Sequence, residues 1–162
     1  MTGPSVGIGR LAASADPGIV ISAIGLGSCI GLVLADRYAR VAGMVHVMLP
    51  DSAAAAAPGP PGKFADTAVP ALLDEVCRLG ADRTRLVGSI AGGATMFRSA
   101  SGGGVLRIGE RNEAAVRAAM RAAGLRVRGA DTGGTSGRTL QVAVGSGDEV
   151  SVRVVGREAV VI

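Results

Sequence analysis

Residues 30–48 read IGLVLADRYARVAGMVHVM: two apolar runs, 30–34 and 41–48, on either side of Asp36-Arg37-Tyr38-Ala39. Runs of this length rich in Val, Ile and Leu suit strands rather than helices. Asp at the first position suits a type I turn, so the stretch reads as a β-hairpin. With the turn centred between Arg37 and Tyr38, partner positions sum to 75, which puts Cys29 directly across from His46. Directly opposed residues have Cβ atoms roughly 4.5–5.5 Å apart, a contact distance for a thiol and an imidazole. A one-residue change in loop length would put the two on opposite faces.

Outward from the hairpin, residues 20–24 and 6–11 read as further strands, separated by a turn at Asp16-Pro17-Gly18. Residues 52–62, SAAAAAPGPPG, are low-complexity with a Pro-Gly end, and read as an exposed flexible loop, a lid or a linker. A helix is expected over 66–79, capped by Asp66, with Val69, Leu72, Leu73, Val76 and Leu79 on one face and Gly80 as its stop. Pro70 fits only in a first turn, so the start could lie as late as Val69. Asn112 is expected to cap a second helix to about Ala123, with Ala115, Val116, Ala119 and Met120 inward. Residues 86–91, 125–128, 140–144, 150–155 and 159–162 complete a set of strands. Two helices among many strands without βαβ alternation indicate α+β, a layered sandwich of mostly antiparallel strands.

The chain has 162 residues, 26 of them Gly, and 48% are hydrophobic while only 2% are aromatic, so a single domain with an aliphatic core is expected. Two Cys and one His supply neither a four-ligand structural zinc site nor a disulfide framework. No cofactor is called for. Residues 18–35 carry no charge, but their Gly and β-branched content reads as strand, glycine turn and strand rather than as a membrane span. No secretory signal pattern opens the sequence, so a cytoplasmic location is expected. The net charge of +4 comes mostly from scattered Arg, and the aromatics number only three, too few for base-stacking platforms. Nucleic acid is therefore not expected, and a mildly basic surface for an acidic protein competes with a basic composition that has no specific partner.

Two phosphate motifs fail. In Gly25-Leu26-Gly27-Ser28-Cys29-Ile30 the third glycine of a dinucleotide fingerprint is Ile30 and a strand follows, and Gly62-Lys63 lacks the rest of a P-loop. Cys29 and His46 are the residues that pair into a nucleophile and a base; a thiolate beside an imidazolium would form partly as an ion pair near neutral pH. Gly25 and Gly27 let the backbone turn sharply before Cys29 and could aim the amides of Ser28 and Cys29 at a developing oxyanion. A buried structural Cys and His is the competing reading. Cys77 reads as core, and Gly92-Gly93, residues 102–104 and Gly133-Gly134 as turns.

The segments GLGSCIGLVLADR (25–37), AGMVHVMLPDS (42–52), KFADTAV (63–69), AGGATMF (91–97), IGERN (108–112) and DTGGTSGR (131–138) together resemble CheD, the chemoreceptor glutamine deamidase family of bacterial and archaeal chemotaxis. The resemblance runs from about Val6 to Val155. It implies one CheD-like deamidase domain over residues 1–162, similar to the catalytic domain of cytotoxic necrotizing factor toxins. It implies hydrolysis of glutamine side chains on the cytoplasmic helices of chemoreceptors, with Cys29 of GSC as nucleophile and His46 of HxMLP as general base and acid. The phosphatase CheC is an implied partner. The family's third catalytic member, a Thr six residues before the nucleophile, corresponds here to Ala23, which cannot orient an imidazole; neighbouring Ser22 points to the other face of a strand. A weakly catalytic, regulatory binding module is the alternative that this departure raises.

Overall fold

The computed structural model describes residues 2–96, 107–145 and 149–162. The glycine run 102–104, read above as a turn, and Phe97 lie outside the described residues. Along the chain come β1 (Thr2–Ser5), β2 (Leu11–Ser14), β3 (Val20–Leu26), β4 (Ile30–Asp36), β5 (Val41–Val47), α1 (Ala65–Arg78), β6 (Val87–Gly92), α2 (Ile108–Ala122), β7 (Arg126–Thr132), β8 (Arg138–Ala143), β9 (Val150–Val154) and β10 (Val160–Val161). They form two five-stranded sheets, β1-β3-β8-β9-β10 and β2-β5-β4-β6-β7. Pairing is antiparallel except for β1 with β3 and β6 with β7.

The second sheet is the middle of three layers. Leu32, Leu34, Val41 and Val45 pack toward the helices, against Leu72, Val76, Val116 and Met120. Val33, Ala35, Ala42 and Met44 pack toward the first sheet, against Ile21, Ala23, Leu26, Leu140 and Val142. Every residue of β4 and β5 is thus buried, which is why the hairpin reads as continuous apolar runs rather than as an alternation. The α+β expectation, mostly antiparallel with two main helices, agrees with this architecture. Among the described residues no helix is long and apolar enough to cross a membrane.

Several local expectations are corrected. Residues 6–11 are not a strand: β1 ends at Ser5, β2 begins at Leu11, and the chain between them crosses from one sheet to the other. Val6 N–H donates to Ser22 O in the first sheet (2.7 Å), whereas Gly9 N–H donates to His46 O in the second (2.8 Å). A strand cannot belong to both ladders, so the segment turns, closed by Arg10 N–H to Gly7 O (3.0 Å). Helix α1 begins at Ala65 with Phe64 at its cap and keeps Pro70 inside it. Pro70 is exposed, so the carbonyl its missing N–H leaves unbonded faces water. Asp66 does not cap the helix; from its first turn it accepts the N–H and hydroxyl of Ser52 (3.0 and 2.5 Å), tying down the start of the 52–62 loop. That loop is mostly exposed and contains two single 3₁₀ turns.

Asn112 does not cap α2 either. The helix starts four residues earlier, and Asn112 lies inside it on the buried stripe with Val116 and Met120.

Candidate active site

Strand β5 carries His46 with its side chain on the same side as Ala42 and Met44, toward the first sheet. The ring is almost fully buried, and Nδ1 lies 3.1 Å from the carbonyl oxygen of Val6 in the sheet crossover. A carbonyl only accepts, so Nδ1 carries the hydrogen and Nε2 presents a bare lone pair. Nε2 is buried with no hydrogen-bond partner among the described residues. An imidazole held in this tautomer is built to accept a proton at Nε2.

The hairpin register differs from the sequence expectation by two. Ile30 pairs with Val47 and Gly31 with His46, so partners sum to 77 rather than 75. The connection spans residues 37–40, ending on Arg40 in the left-handed region (φ 57°), and these added residues move the register. A shift of two preserves the face. Cys29, one residue before β4, therefore stands diagonal to His46, half-buried against the inter-sheet core of Ala23, Leu26 and Leu140. Direct opposition is corrected to a diagonal relation on a common face, and no hydrogen bond joins thiol to ring.

Burial dominates the electrostatics of both groups. It pushes the Cys29 thiol above its ordinary value, with the residue's own N–H pulling weakly the other way. It pushes His46 down, partly offset by the bond to Val6. Both directions favour neutral thiol and neutral imidazole over the partial ion pair expected from the sequence.

The loop before Cys29 is fixed by its carbonyls. Gly25 enters the left-handed region (φ 74°) at a break in the β3–β8 register. Three consecutive carbonyls are then held from inside: Gly27 O by Ala94 N–H (2.9 Å), Ser28 O by Asn112 Nδ2 (3.0 Å) and Cys29 O by Gly93 N–H (2.9 Å). In a trans peptide the N–H points opposite to the C=O. The Ser28 and Cys29 amides therefore point away from the clamps, and among the described residues neither donates to a backbone carbonyl. Gly92 is required at the back of this loop, since a Cβ there would collide with the Cys29 carbonyl oxygen. Gly133 N–H in turn holds Gly92 O (3.0 Å), and buried Arg138 binds the Asp131 carbonyl and carboxylate (both 2.6 Å) and the carbonyl of Gly133. The glycine pairs read as ordinary turns thus form the bed of the cysteine loop.

Ala23 is fully buried opposite Leu140 and offers no side-chain acceptor to the ring. Sequence reasoning missed the Val6 carbonyl, which has no side-chain signature, and Asn112, whose spacing of four and eight residues from Val116 and Met120 already placed an amide on an apolar stripe. Cys77 packs on the helix side of the central sheet, across it from this site. Two exposed methionines flank the loop: Met96, whose side chain lies over Gly27, and Met48, at the exit of β5.

Residues 48–153 match the family described as CheD chemotactic sensory transduction. The chain is 46% identical over 154 residues to the "Probable chemoreceptor glutamine deamidase CheD" of Symbiobacterium thermophilum, covering 94% of this chain and 93% of the relative. It is 40% identical over 151 residues to the "Chemoreceptor glutamine deamidase CheD" of Thermotoga maritima, covering 93% and 91%. With the "Probable chemoreceptor glutamine deamidase CheD" of Pyrococcus abyssi the identity is 39% over 155 residues, covering 96% and 94%. These alignments leave positions 23, 29 and 46 inside the shared span.

Proposed function

The chain belongs to the CheD family, and from that premise we propose that it is a cysteine-dependent protein-glutamine deamidase acting on the cytoplasmic helices of chemoreceptors. The observation that carries the reading is the Nδ1 bond from His46 to Val6 O, which leaves Nε2 bare on the face it shares with Cys29.

Nε2 takes the Cys29 proton as Sγ attacks the glutamine side-chain carbonyl, whose π electrons become an oxyanion. The amides of Ser28 and Cys29, which point away from the three clamps, receive that charge, in a loop shaped by Gly25 and Gly27. The C–N bond then breaks, the imidazolium gives its proton to the departing amide nitrogen, and ammonia leaves a thioester. Water, deprotonated by Nε2, hydrolyses it to glutamate and restores the thiol. Because burial favours the uncharged thiol and imidazole, the proton passes to Nε2 together with the attack. The exposed arginines suit the acidic surface of a receptor helix, and the phosphatase CheC is a partner that the family implies.

The test is incubation with a receptor cytoplasmic fragment and mass analysis for about +1 Da per modified glutamine, the mark of amide hydrolysis. Cys29→Ala is expected to lower the rate by about a thousandfold or more. Equal conversion by that variant would remove Cys29 from the chemistry. Ala23 favours a second reading, a docking module that regulates receptors without deamidating them. Receptor binding with no mass change in the wild-type protein would select it.

A further inference from the structure

Of the three clamps on the cysteine loop, two are backbone amides and one is a side chain, Asn112. Its Nδ2 donates twice, to Ser28 O (3.0 Å) and to Met48 O (2.9 Å), so one amide group bridges the cysteine loop and the end of the strand that carries His46. The residue is fully buried. Its Oδ1 has no hydrogen-bond partner among the described residues. An orphaned buried carbonyl is destabilising because nothing repays its lost hydration, and turning the amide over would set Oδ1 against two carbonyl oxygens. An asparagine kept at such a cost, on a stripe otherwise filled by Val116 and Met120, is there for its two N–H bonds.

Those bonds act on the reacting loop through peptide geometry. Ser28 C=O and Cys29 N–H belong to one planar unit and point in opposite directions. Drawing the oxygen toward α2 aims the N–H away from the helix, and a hydrogen bond at the oxygen polarises that N–H as a donor. We propose that Asn112 is a positioning residue: it orients the Ser28–Cys29 peptide so that the Cys29 amide meets the developing oxyanion, and it holds that peptide at a fixed distance from the His46 strand. The inference rests on the deamidase reading above and adds a residue that the family's Cys-His-Thr pattern does not contain.

The experiment compares wild type, Cys29→Ala, Asn112→Asp and Asn112→Ser on a receptor fragment, with melting curves for each. Asn112→Asp keeps the shape and loses the NH₂ group. It is expected to lower kcat by about tenfold to a hundredfold, somewhat less than deleting an oxyanion donor outright, with KM changed less than about twofold, because a transition-state contact is lost while the docking surface stays. A carboxyl facing two carbonyls donates only when protonated. The ratio of Asn112→Asp to wild-type kcat is therefore expected to rise as pH falls from about 8 to about 6, a recovery that loss of packing would not give. Folded Asn112→Asp and Asn112→Ser with kcat within twofold of wild type, beside an inactive Cys29→Ala, would overturn the role of Asn112 alone; an active Cys29→Ala would instead overturn the deamidase reading beneath it. For a variant that does not fold, the wild-type protein carries the test: an NMR scalar coupling across the Asn112 Nδ2–H to Ser28 O=C bond supports the clamp, and its absence refutes it.

Discussion

At the closed end of the β4–β5 hairpin, Asp36 is fully buried and both carboxylate oxygens are taken. Oδ1 accepts from Tyr38 N–H (3.0 Å), Ala39 N–H (3.2 Å) and Arg85 Nε (3.1 Å); Oδ2 accepts from Asp82 N–H (2.8 Å) and Arg85 Nη2 (2.7 Å). At the open end, two buried polar atoms have no hydrogen-bond partner among the described residues, His46 Nε2 and Asn112 Oδ1, and the half-buried Cys29 thiol is in no disulfide. Both ends sit on the same apolar strands, and neither end lacks burial. The difference lies in satisfaction: one end spends every donor and acceptor on holding the turn, while the other withholds a lone pair and a nucleophile from the fold. Uncommitted groups of this kind destabilise a protein, and they are what a reaction needs.

The largest expected effect breaks the closed end. Asp36→Ala leaves Arg85 and three amides without their acceptor and should cost about 2–4 kcal/mol, read as a lower urea midpoint with unchanged slope. Deamidation per folded molecule should stay within about twofold. Unchanged stability would mean that the turn is held by the strands alone. The same end predicts a pH response. Burial alone would raise the Asp36 pKa, but the Arg85 guanidinium and the amides of Asp82, Ala39 and Tyr38 outweigh it and hold the carboxyl down to about 2, from 3.8. A depressed carboxylate contributes stability that is complete above the unfolded value and lost as pH falls through the folded one. Acid unfolding between about 4 and 2 should therefore be steeper in the wild-type protein than in Asp36→Asn.

A smaller effect reads the open end. Burial holds His46 below its ordinary value of 6.5, so Nε2 remains a base to lower pH than a free imidazole would. The acid limb of kcat/KM should accordingly have its midpoint below 6.5. The stability sign agrees: the unfolded chain binds the proton first, so stability falls as pH drops below 6.5 toward the folded value. Burial raises Cys29 above 9.0, and iodoacetamide alkylation should inflect on that alkaline side. An alkylation midpoint near neutrality would mean that the thiol and imidazole rest as an ion pair after all.

The closed end was the more legible of the two. Asp36 before Arg37-Tyr38-Ala39 signals a turn by its own chemistry, and the apolar runs beside it need no partner to be recognised. The register was displaced by two because Arg40 takes a left-handed conformation that an Arg does not advertise. Cys29 and His46 still shared a face because a strand's period is two. What holds them was hidden for a different reason. Val6 acts through its carbonyl, and Gly92 acts by having no side chain where Cys29 O approaches, so neither role is written in a side chain's chemistry. Asparagine caps helices, which makes Asn112 look like a cap; the apolar stripe it interrupts is the better signal.

The smallest expected effect decides whether the departure at position 23 matters. A hydroxyl there could orient His46 only by taking over Nδ1, and Nδ1 already donates to Val6 O at 3.1 Å. That carbonyl is itself fixed, because Val6 N–H is tied to Ser22 O beside Ala23 (2.7 Å). A backbone acceptor held by a sheet loses no side-chain entropy in orienting the ring, so a Thr hydroxyl has little to add. It does add bulk beside Leu140 in a fully buried position, where overpacking costs about 1–3 kcal/mol. Ala23→Thr should therefore lower the melting temperature by several degrees and change kcat by less than about threefold. A tenfold rise in kcat would show that the Val6 carbonyl orients the ring poorly and that the open end is incomplete without a side chain at this position.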